Sequence, residues 1–326
     1  MKLFKKIVIG NIILLFVVLI IVEFANYQTY RARWGHIIDK HLKNFDDVEK
    51  AKEIFDIKYK LPRYLKYEDW IKPIKNKIYK GSKKGAIVTI GCSYTYGIGL
   101  EENQTLAYKL NKITNRTTYN RGVSGTGPQM VYRQLSDKNF KKEVPEAEYI
   151  IYVFLPEHIT RQFQKLFSCS STDICDTYQI KNGKLVKNKE PFWFFYSLYT
   201  VKNTIIDIYK DQKSEDERNK GCPLFLKTME ESYNAIINNY PNAKFVILKV
   251  PDYLMIHDQF NRINENEFTD EQINKIENMG IIYLDAEKLA GHSLRDIKKY
   301  RIADEDHPNE RFWNEVIPGL VKTLKL

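Results

Sequence analysis

The sequence has few cysteines, and their spacing does not suit a metal site. Four occur in 326 residues, and the three that fall between residues 162 and 225 lack the paired spacing of a zinc site. The one tight cluster of ligand-type side chains is Asp304, Asp306 and His307. We therefore expect neither a metal nor another cofactor.

Two further absences narrow the class of protein. No long segment is polar enough to predict extended disorder, since 43% of the residues are hydrophobic and 13% aromatic. No arginine-rich stripe is present, so we expect no nucleic-acid partner. The net charge of +10 comes from lysines spread along the chain. A solvated lysine surface explains this charge, and attraction to an anionic lipid or glycan is the alternative.

The N-terminus carries the only long apolar run. Lys5 and Lys6 precede an uncharged stretch from Ile7 to Val22, which ends at Glu23. At about 1.5 Å per residue the stretch reaches roughly 24 Å, slightly less than a bilayer core of about 30 Å. We predict a transmembrane anchor over 1–26, a single pass with the rest of the chain on the periplasmic or extracytoplasmic side.

A cleaved signal peptide is the alternative to this anchor. Cleavage after Ala25 would place Glu23 at the −3 position, where a small residue is needed. Residues 27–84 then predict a mostly helical stalk or linker, because 34–55 has helix-like spacing and lysines crowd its end. Contact of this segment with membrane or glycan stays open.

Beyond Gly85, apolar runs alternate with segments of helical spacing. Such alternation predicts βαβ units and a parallel sheet in a domain over 85–326. The predicted strands are 86–90, 117–120, 149–155, 244–250 and 281–284. The predicted helices are 105–113, 129–135, 226–239, 270–279 and 309–324.

One insertion, at about 162–225, interrupts this alternation. It contains a predicted hairpin over 178–186 with its turn at Asn182-Gly183, and an aromatic patch at 192–196. The patch is either the small core of a structural cap or the wall of an active-site lid. An oxidising compartment would permit one disulfide among three cysteines, whose pairing the sequence leaves open. These are Cys169, Cys175 and Cys222.

A serine follows the first predicted strand directly. The run 86–90 leads through Gly91 and Cys92 to Ser93, and reacting groups in open α/β sheets lie just beyond the carboxyl ends of strands. Cys92 is interpreted as a buried thiol. A serine hydroxyl needs a histidine base and a group that orients this base. We therefore look for both in the rest of the chain.

Asp304 and His307 supply such a pair. They are three residues apart in a turn-like segment before the last predicted helix. This spacing lets the carboxylate face Nδ1 of the imidazole, which leaves Nε2 to accept the serine proton. Ser93, Asp304 and His307 are the predicted catalytic residues.

These residues resemble the motifs of the SGNH, or GDSL, hydrolase family in order along most of 85–326. The first block resembles Gly91 to Gly97, the second resembles 120–126, and the last, Asp-x-x-His-Pro, falls on 304–308. The resemblance implies a three-layer α/β/α sandwich with a parallel five-stranded, flavodoxin-like sheet. It also implies that Ser93 is the nucleophile and that the amides of Ser93 and Gly125 form an oxyanion hole.

The sequence departs from the family in two places. Cys92 stands where an aspartate usually precedes the nucleophile. The third block, Gly-x-Asn-Asp, is absent, and 154–161 stands in its place, with His158 as a candidate N–H donor in place of the asparagine. An ordinary loop histidine is the alternative reading of His158. Arg161 is interpreted as a supporting or surface residue.

Three functions are compatible with this pattern. The first is a serine esterase or deacylase that acts on O-acyl esters of a cell-envelope glycan or lipid. The second is an O-acyltransferase that acylates an envelope polysaccharide with a multi-spanning membrane partner. The loop that replaces the third block, with its proline and histidine, resembles that of exported SGNH-like proteins involved in O-acylation of envelope polysaccharides. The third is a non-catalytic glycan-binding domain.

Overall fold

The computed structural model describes residues 77–123, 125–162, 177–188, 214–251, 268–302 and 307–326. All of them belong to one of the two compact units into which the chain divides, the unit made of 58–189 and 212–326. The predicted anchor, most of the predicted stalk, the aromatic patch at 192–196 and Asp304 lie outside the described residues.

None of the helices in these described ranges is long and apolar enough to cross a membrane.

Eight strands occur among the described residues. They are β1 (Ile78–Tyr79), β2 (Lys83–Gly91), β3 (Arg116–Gly122), β4 (Ala147–Phe154), β5 (Tyr178–Lys181), β6 (Lys184–Lys187), β7 (Lys244–Lys249) and β8 (Ile282–Asp285). Strands β5 and β6 pair as a separate antiparallel hairpin, and the other six form one sheet in the order β1-β3-β2-β4-β7-β8. Within that sheet only β1 is antiparallel to its neighbour.

Ten helices occur among the described residues, and the last three of them follow the final strand. They are α1 (Ser93–Tyr96), α2 (Leu106–Thr114), α3 (Pro128–Ser136), α4 (Phe140–Glu143), α5 (His158–Arg161), α6 (Ser214–Asn239), α7 (Asp270–Asn278), α8 (Ala286–Ala290), α9 (Ile297–Tyr300) and α10 (Glu310–Leu324). Asn309 caps α10, because its side chain accepts a hydrogen bond from the N–H of Phe312 at 3.2 Å.

Apolar side chains cover both faces of the central strands, as a parallel sheet requires. In β4, Tyr152 and Phe154 face a core that contains Val131 of α3 and Phe225 of α6. Ile151 and Val153, which alternate with them, face a second core that includes Leu110 of α2 and Trp313 of α10. Helices therefore pack on both faces of the sheet.

The fold confirms the predicted α/β class with a mostly parallel sheet. All five predicted parallel strands are present, and Asn182 and Gly183 have φ angles of 50° and 72°, as a type I′ hairpin turn requires. The five parallel strands lie in the order 2-1-3-4-5 when they are counted along the chain. This is the flavodoxin-like order.

Three elements differ from the predictions. The sheet has a sixth strand, β1, which lies inside the segment predicted as stalk, and β2 begins at Lys83 rather than after Gly85. A two-residue strand between lysines is too short to show any periodicity. Helix α6 begins at Ser214, inside the predicted insertion. The sequence does not reveal this start because the first residues of the helix are polar, and only later residues such as Phe225 enter the core.

Candidate active site

The strand order predicts a ligand-binding crevice beside the predicted nucleophile. The chain runs from β2 to β3 on one side and then returns to β4 on the other side of β2. Ligands of open α/β sheets bind at such a switch point, beyond the carboxyl ends of the two strands. Ser93 follows β2 and His158 follows β4, so both lie at the ends of the two strands that flank the switch point.

Gly91 makes the turn that presents Ser93. Its φ angle is 149°, and a Cβ atom there would lie 2.4 Å from Oγ1 of Thr95 and 2.9 Å from the carbonyl oxygen of Val153. Only glycine fits this position without displacement of its neighbours. Cys92 is fully buried, as predicted, and burial raises the pKa of its thiol. Ser93 opens α1 and is 8% exposed.

The turn after β3 is fixed directly against the turn after β2. The N–H of Val123 donates to the carbonyl of Gly91 at 2.8 Å. A Cβ atom on Gly122 would lie 2.3 Å from the backbone nitrogen of Tyr96, so glycine is needed for α1 to pack against β3. The hydroxyl of Thr126 donates to the carbonyl of Val123 at 2.7 Å and closes the loop that carries Gly125.

His158 is fully buried, and its hydrogen bonds define which ring nitrogen carries the proton. The backbone N–H of Leu155 donates to Nδ1 at 3.4 Å, and the Tyr152 hydroxyl lies 2.7 Å from the same atom. Since a backbone N–H can only donate, Nδ1 accepts and the neutral ring holds its proton on Nε2. Within the described part of the chain, Nε2 has no hydrogen-bond partner.

Arg161 connects the His158 turn to the Gly125 loop. Its guanidinium pairs with Glu157, and its Nη1 donates to the carbonyl of Thr126 at 3.4 Å. Burial and, to a lesser extent, the charge of Arg161 hold the pKa of His158 well below its ordinary value. His158 is therefore a neutral N–H donor at ordinary pH.

Backbone hydrogen bonds join the residues before and after 303–306 and fix the position of His307. The N–H of Ile302 donates to the carbonyl of His307 at 2.9 Å, and the N–H of Asn309 donates to the carbonyl of Tyr300 at 2.8 Å. Asp304 belongs to 303–306, which lies outside the described residues. The geometry of the predicted Asp304 to His307 contact therefore stays a prediction.

Two contacts hold the His307 loop against the Ser93 turn. The ring centroids of His307 and Tyr94, the residue after Ser93, are 5.3 Å apart. Ile302 packs on Gly99, where a Cβ atom would lie 2.7 Å from the side chain of Ile302. Thus the turn of the predicted nucleophile and the turn of the predicted base are neighbours, although they are far apart in sequence.

The arrangement suits acyl transfer and offers no metal site in its described part. No group of three or more His, Cys, Asp or Glu side chains that could hold a metal ion occurs among the described residues. Cys222 is buried on α6, whereas Cys169 and Cys175 lie outside the described residues, so disulfide pairing stays a prediction.

Tyr152 is the site residue that the sequence did not identify. Its hydroxyl contacts Nδ1 of His158, yet in the sequence it is one aromatic residue of an apolar strand. The alternation of Tyr152 and Phe154 indicates a buried face of the strand, whether or not the Tyr152 hydroxyl contacts a site residue. Only the turn at 155–158, which folds the histidine back onto this face, distinguishes the hydroxyl from an ordinary core phenol.

No protein-family model and no curated protein matches the sequence. A search of solved structures does find similar chains. One is a lipase from a goat rumen metagenome, 13% identical, with a TM-score of 0.45 over 73% of this chain and 97% of that one. Another is a member of the lipolytic protein G-D-S-L family from Veillonella parvula DSM 2008, 14% identical, with a TM-score of 0.39 over 74% and 98%.

A third similar structure is a carbohydrate esterase family 2 enzyme with a carbohydrate-binding domain from Corynascus thermopiles. It is 13% identical, with a TM-score of 0.40 over 76% of this chain and 69% of that one. The G-D-S-L name is that of the family that the sequence motifs resemble. A likeness at this level establishes neither membership nor activity, and both are therefore proposals.

Proposed function

We propose that the chain is an SGNH-type serine esterase that removes O-acyl groups from a cell-envelope glycan or lipid. The observation that carries this proposal is the meeting of three strand-end turns at the switch point of the sheet. Val123 and Gly91 join two of these turns at 2.8 Å. Ser93 and His158 follow the two strands that flank the crevice, and His307 packs beside Tyr94.

The proposed reaction has two steps. Oγ of Ser93 attacks the acyl carbonyl carbon while Nε2 of His307 accepts the hydroxyl proton, and the ester alcohol leaves with that proton. Water then attacks the acyl-serine and gives a proton to Nε2 of His307, which passes it to Oγ of Ser93 as the carboxylic acid leaves and the free serine is restored. Asp304 orients the imidazole of His307 in this proposal.

The oxyanion of each tetrahedral intermediate is stabilised by three N–H groups in the proposal. Two are the backbone amides of Ser93 and Gly125, and the third is Nε2–H of His158. The proposal for His158 is supported by the buried Nε2–H that has no partner among the described residues. A donor that is already fixed in place is effective because it needs no reorganisation during the reaction.

The envelope substrate is proposed from features outside the site. The apolar run from Ile7 to Val22 would hold the domain at the outer face of the membrane, where glycan and lipid esters are within reach. The net charge of +10 would attract anionic envelope polymers.

The proposal is tested with the full-length chain on two substrates, a small acyl ester and purified O-acetylated envelope glycan. We expect acetate release from both in water, without a sugar acceptor, and a loss of about 10⁴-fold in Ser93→Ala. Ser136→Ala is the matched control, because Ser136 lies exposed at the end of α3. Acetate release that required an added sugar acceptor would replace the esterase with an acyltransferase, and full activity in folded Ser93→Ala would exclude both.

A further inference from the structure

We propose that Tyr152 is a positioning residue that holds His158 in the Nε2–H tautomer. This inference rests on the proposed function, in which Nε2–H of His158 is a donor to the oxyanion. Tyr152 belongs to none of the motifs found in the sequence. The amide of an asparagine always offers an N–H donor, whereas a ring nitrogen of neutral histidine does so only in one tautomer. The inference explains how His158 is kept in the tautomer that can replace the amide.

The contacts of Nδ1 show what Tyr152 adds to the tautomer preference. The Tyr152 hydroxyl is 2.7 Å from Nδ1, whereas the Leu155 N–H is 3.4 Å away, near the limit of a hydrogen bond. The Leu155 N–H identifies Nδ1 as an acceptor, and the shorter hydrogen bond from the Tyr152 hydroxyl contributes most of the stabilisation of that tautomer. Without the hydroxyl, a proton on Nδ1 would cost much less, and the ring could present an unprotonated Nε2 instead.

The hydroxyl is the donor in this contact, because the Leu155 N–H can only donate and Nδ1 is therefore an acceptor. Burial raises the pKa of Tyr152 well above its ordinary value, so the phenol keeps its proton. The rings of Tyr152 and His158 are parallel to within 6° with centroids 5.7 Å apart, and Phe154 meets the imidazole edge-on. These contacts limit the orientations open to the imidazole.

The far nitrogen of the imidazole, Nε2, is a donor that the described residues leave unused. Nε2–H is buried without a partner among the described residues, and an unmet buried N–H destabilises the folded chain. The pair of Tyr152 and His158 therefore maintains, at a cost in stability, a donor for which the substrate oxygen is the partner in the proposed reaction.

The first test measures the tautomer directly. The full-length chain is labelled with ¹⁵N-histidine, and the signals of His158 are assigned by their loss in His158→Asn. In the wild type we expect the nitrogen shifts of an unprotonated Nδ1 and a protonated Nε2. In Tyr152→Phe we expect a mixture of both tautomers. A protonated Nδ1 in the wild type, or an unchanged spectrum in Tyr152→Phe, overturns the inference.

The second test measures turnover of a small acyl ester. Tyr152→Phe should lower kcat about tenfold with KM unchanged, the size of effect expected for one lost hydrogen bond. Tyr149→Phe is the matched control, since Tyr149 is a buried tyrosine of the same strand whose hydroxyl donates to the carbonyl of Leu324 on the other face of the sheet. The control should keep the wild-type kcat.

The outcomes separate this inference from the proposed function. A mixed tautomer together with a reduced kcat in Tyr152→Phe alone supports the inference. Equal kcat losses in Tyr152→Phe and Tyr149→Phe indicate a packing effect and overturn it. An inactive wild type would refute the proposed function, and the tautomer measurement would then still decide whether Tyr152 sets the state of His158.

Discussion

His158 is the residue at which the site differs most from the family that it resembles. The ring is buried and neutral, and its Nε2–H has no partner among the described residues. An N–H donor in this position at the end of β4 is available to an oxyanion in the proposed reaction. The residue can therefore be tested by kinetics rather than by stability alone.

His158→Ala should lower kcat by about 10² to 10³ with little change in KM, because the negative charge on the acyl oxygen develops only in the transition state. His158→Asn should restore part of the loss, since its amide offers an N–H in a similar place. The measurement is steady-state kinetics normalised to active sites, beside a thermal melt. An unchanged kcat in folded His158→Ala would remove the residue from the oxyanion hole.

The same burial predicts a pH dependence of stability. The pKa of His158 is held well below its ordinary value in the folded chain, so below about pH 6.5 the unfolded chain binds a proton that the folded chain does not. Stability should therefore fall with decreasing pH, with a slope of up to about 1.4 kcal/mol per pH unit from this group. Urea unfolding of the wild type and His158→Asn from pH 7 to pH 5 measures the difference. Equal slopes for both proteins would contradict this prediction.

At the scale of elements, the position of Ser93 depends on close packing between α1 and the end of β3. Gly122 allows this packing, because a Cβ atom there would lie 2.3 Å from the backbone nitrogen of Tyr96. The neighbouring atoms belong to backbone and cannot rotate away. The turn of the nucleophile is therefore held by a glycine of another strand.

Gly122→Ala should destabilise the chain by more than about 2 kcal/mol and reduce turnover in the molecules that remain folded. The control is Gly291→Ala, where a Cβ atom would meet nothing within 4 Å and only the φ angle of 74° is unfavourable. That change should cost about 1 to 2 kcal/mol and leave kcat unchanged. Urea unfolding and kinetics distinguish the two variants. A Gly122→Ala protein as stable and active as the control would show that α1 does not need this contact.

The sequence identifies elements where the local pattern is strong. Strand β4 is a continuous apolar run from Tyr149 onward, and the hairpin is marked by Asn182-Gly183, so both are visible without the fold. The start of α6 is hidden, because Ser214 to Gly221 is polar and Pro223 stands inside the helix. The contact between Tyr152 and His158 depends on a turn that folds back on the strand, and the sequence periodicity does not predict such a turn.

At the scale of the whole molecule, the N-terminal apolar run predicts on which side of the membrane the catalytic unit lies. Lys5 and Lys6 before the run from Ile7 to Val22 favour an anchor with its N-terminus in the cytoplasm. The proposed substrate requires the catalytic unit on the other side of the membrane. This topology is accessible to a simple fractionation experiment.

The full-length chain should remain in the membrane fraction after carbonate extraction, because an apolar helix is held by hydrocarbon and not by charge. Protease should degrade the catalytic unit only when it is added from the non-cytoplasmic side. A soluble form that begins near Asn26 would show instead that the run is a cleaved signal peptide.

The central claim is that Ser93 is a nucleophile activated by His307. It is tested most directly by a serine-directed phosphonate, followed by mass mapping of the modified peptide. We predict one adduct, on Ser93, that is absent in Ser93→Ala and forms far more slowly in His307→Ala, since the histidine accepts the hydroxyl proton. An adduct on another serine, or equal labelling of wild type and His307→Ala, would contradict the claim.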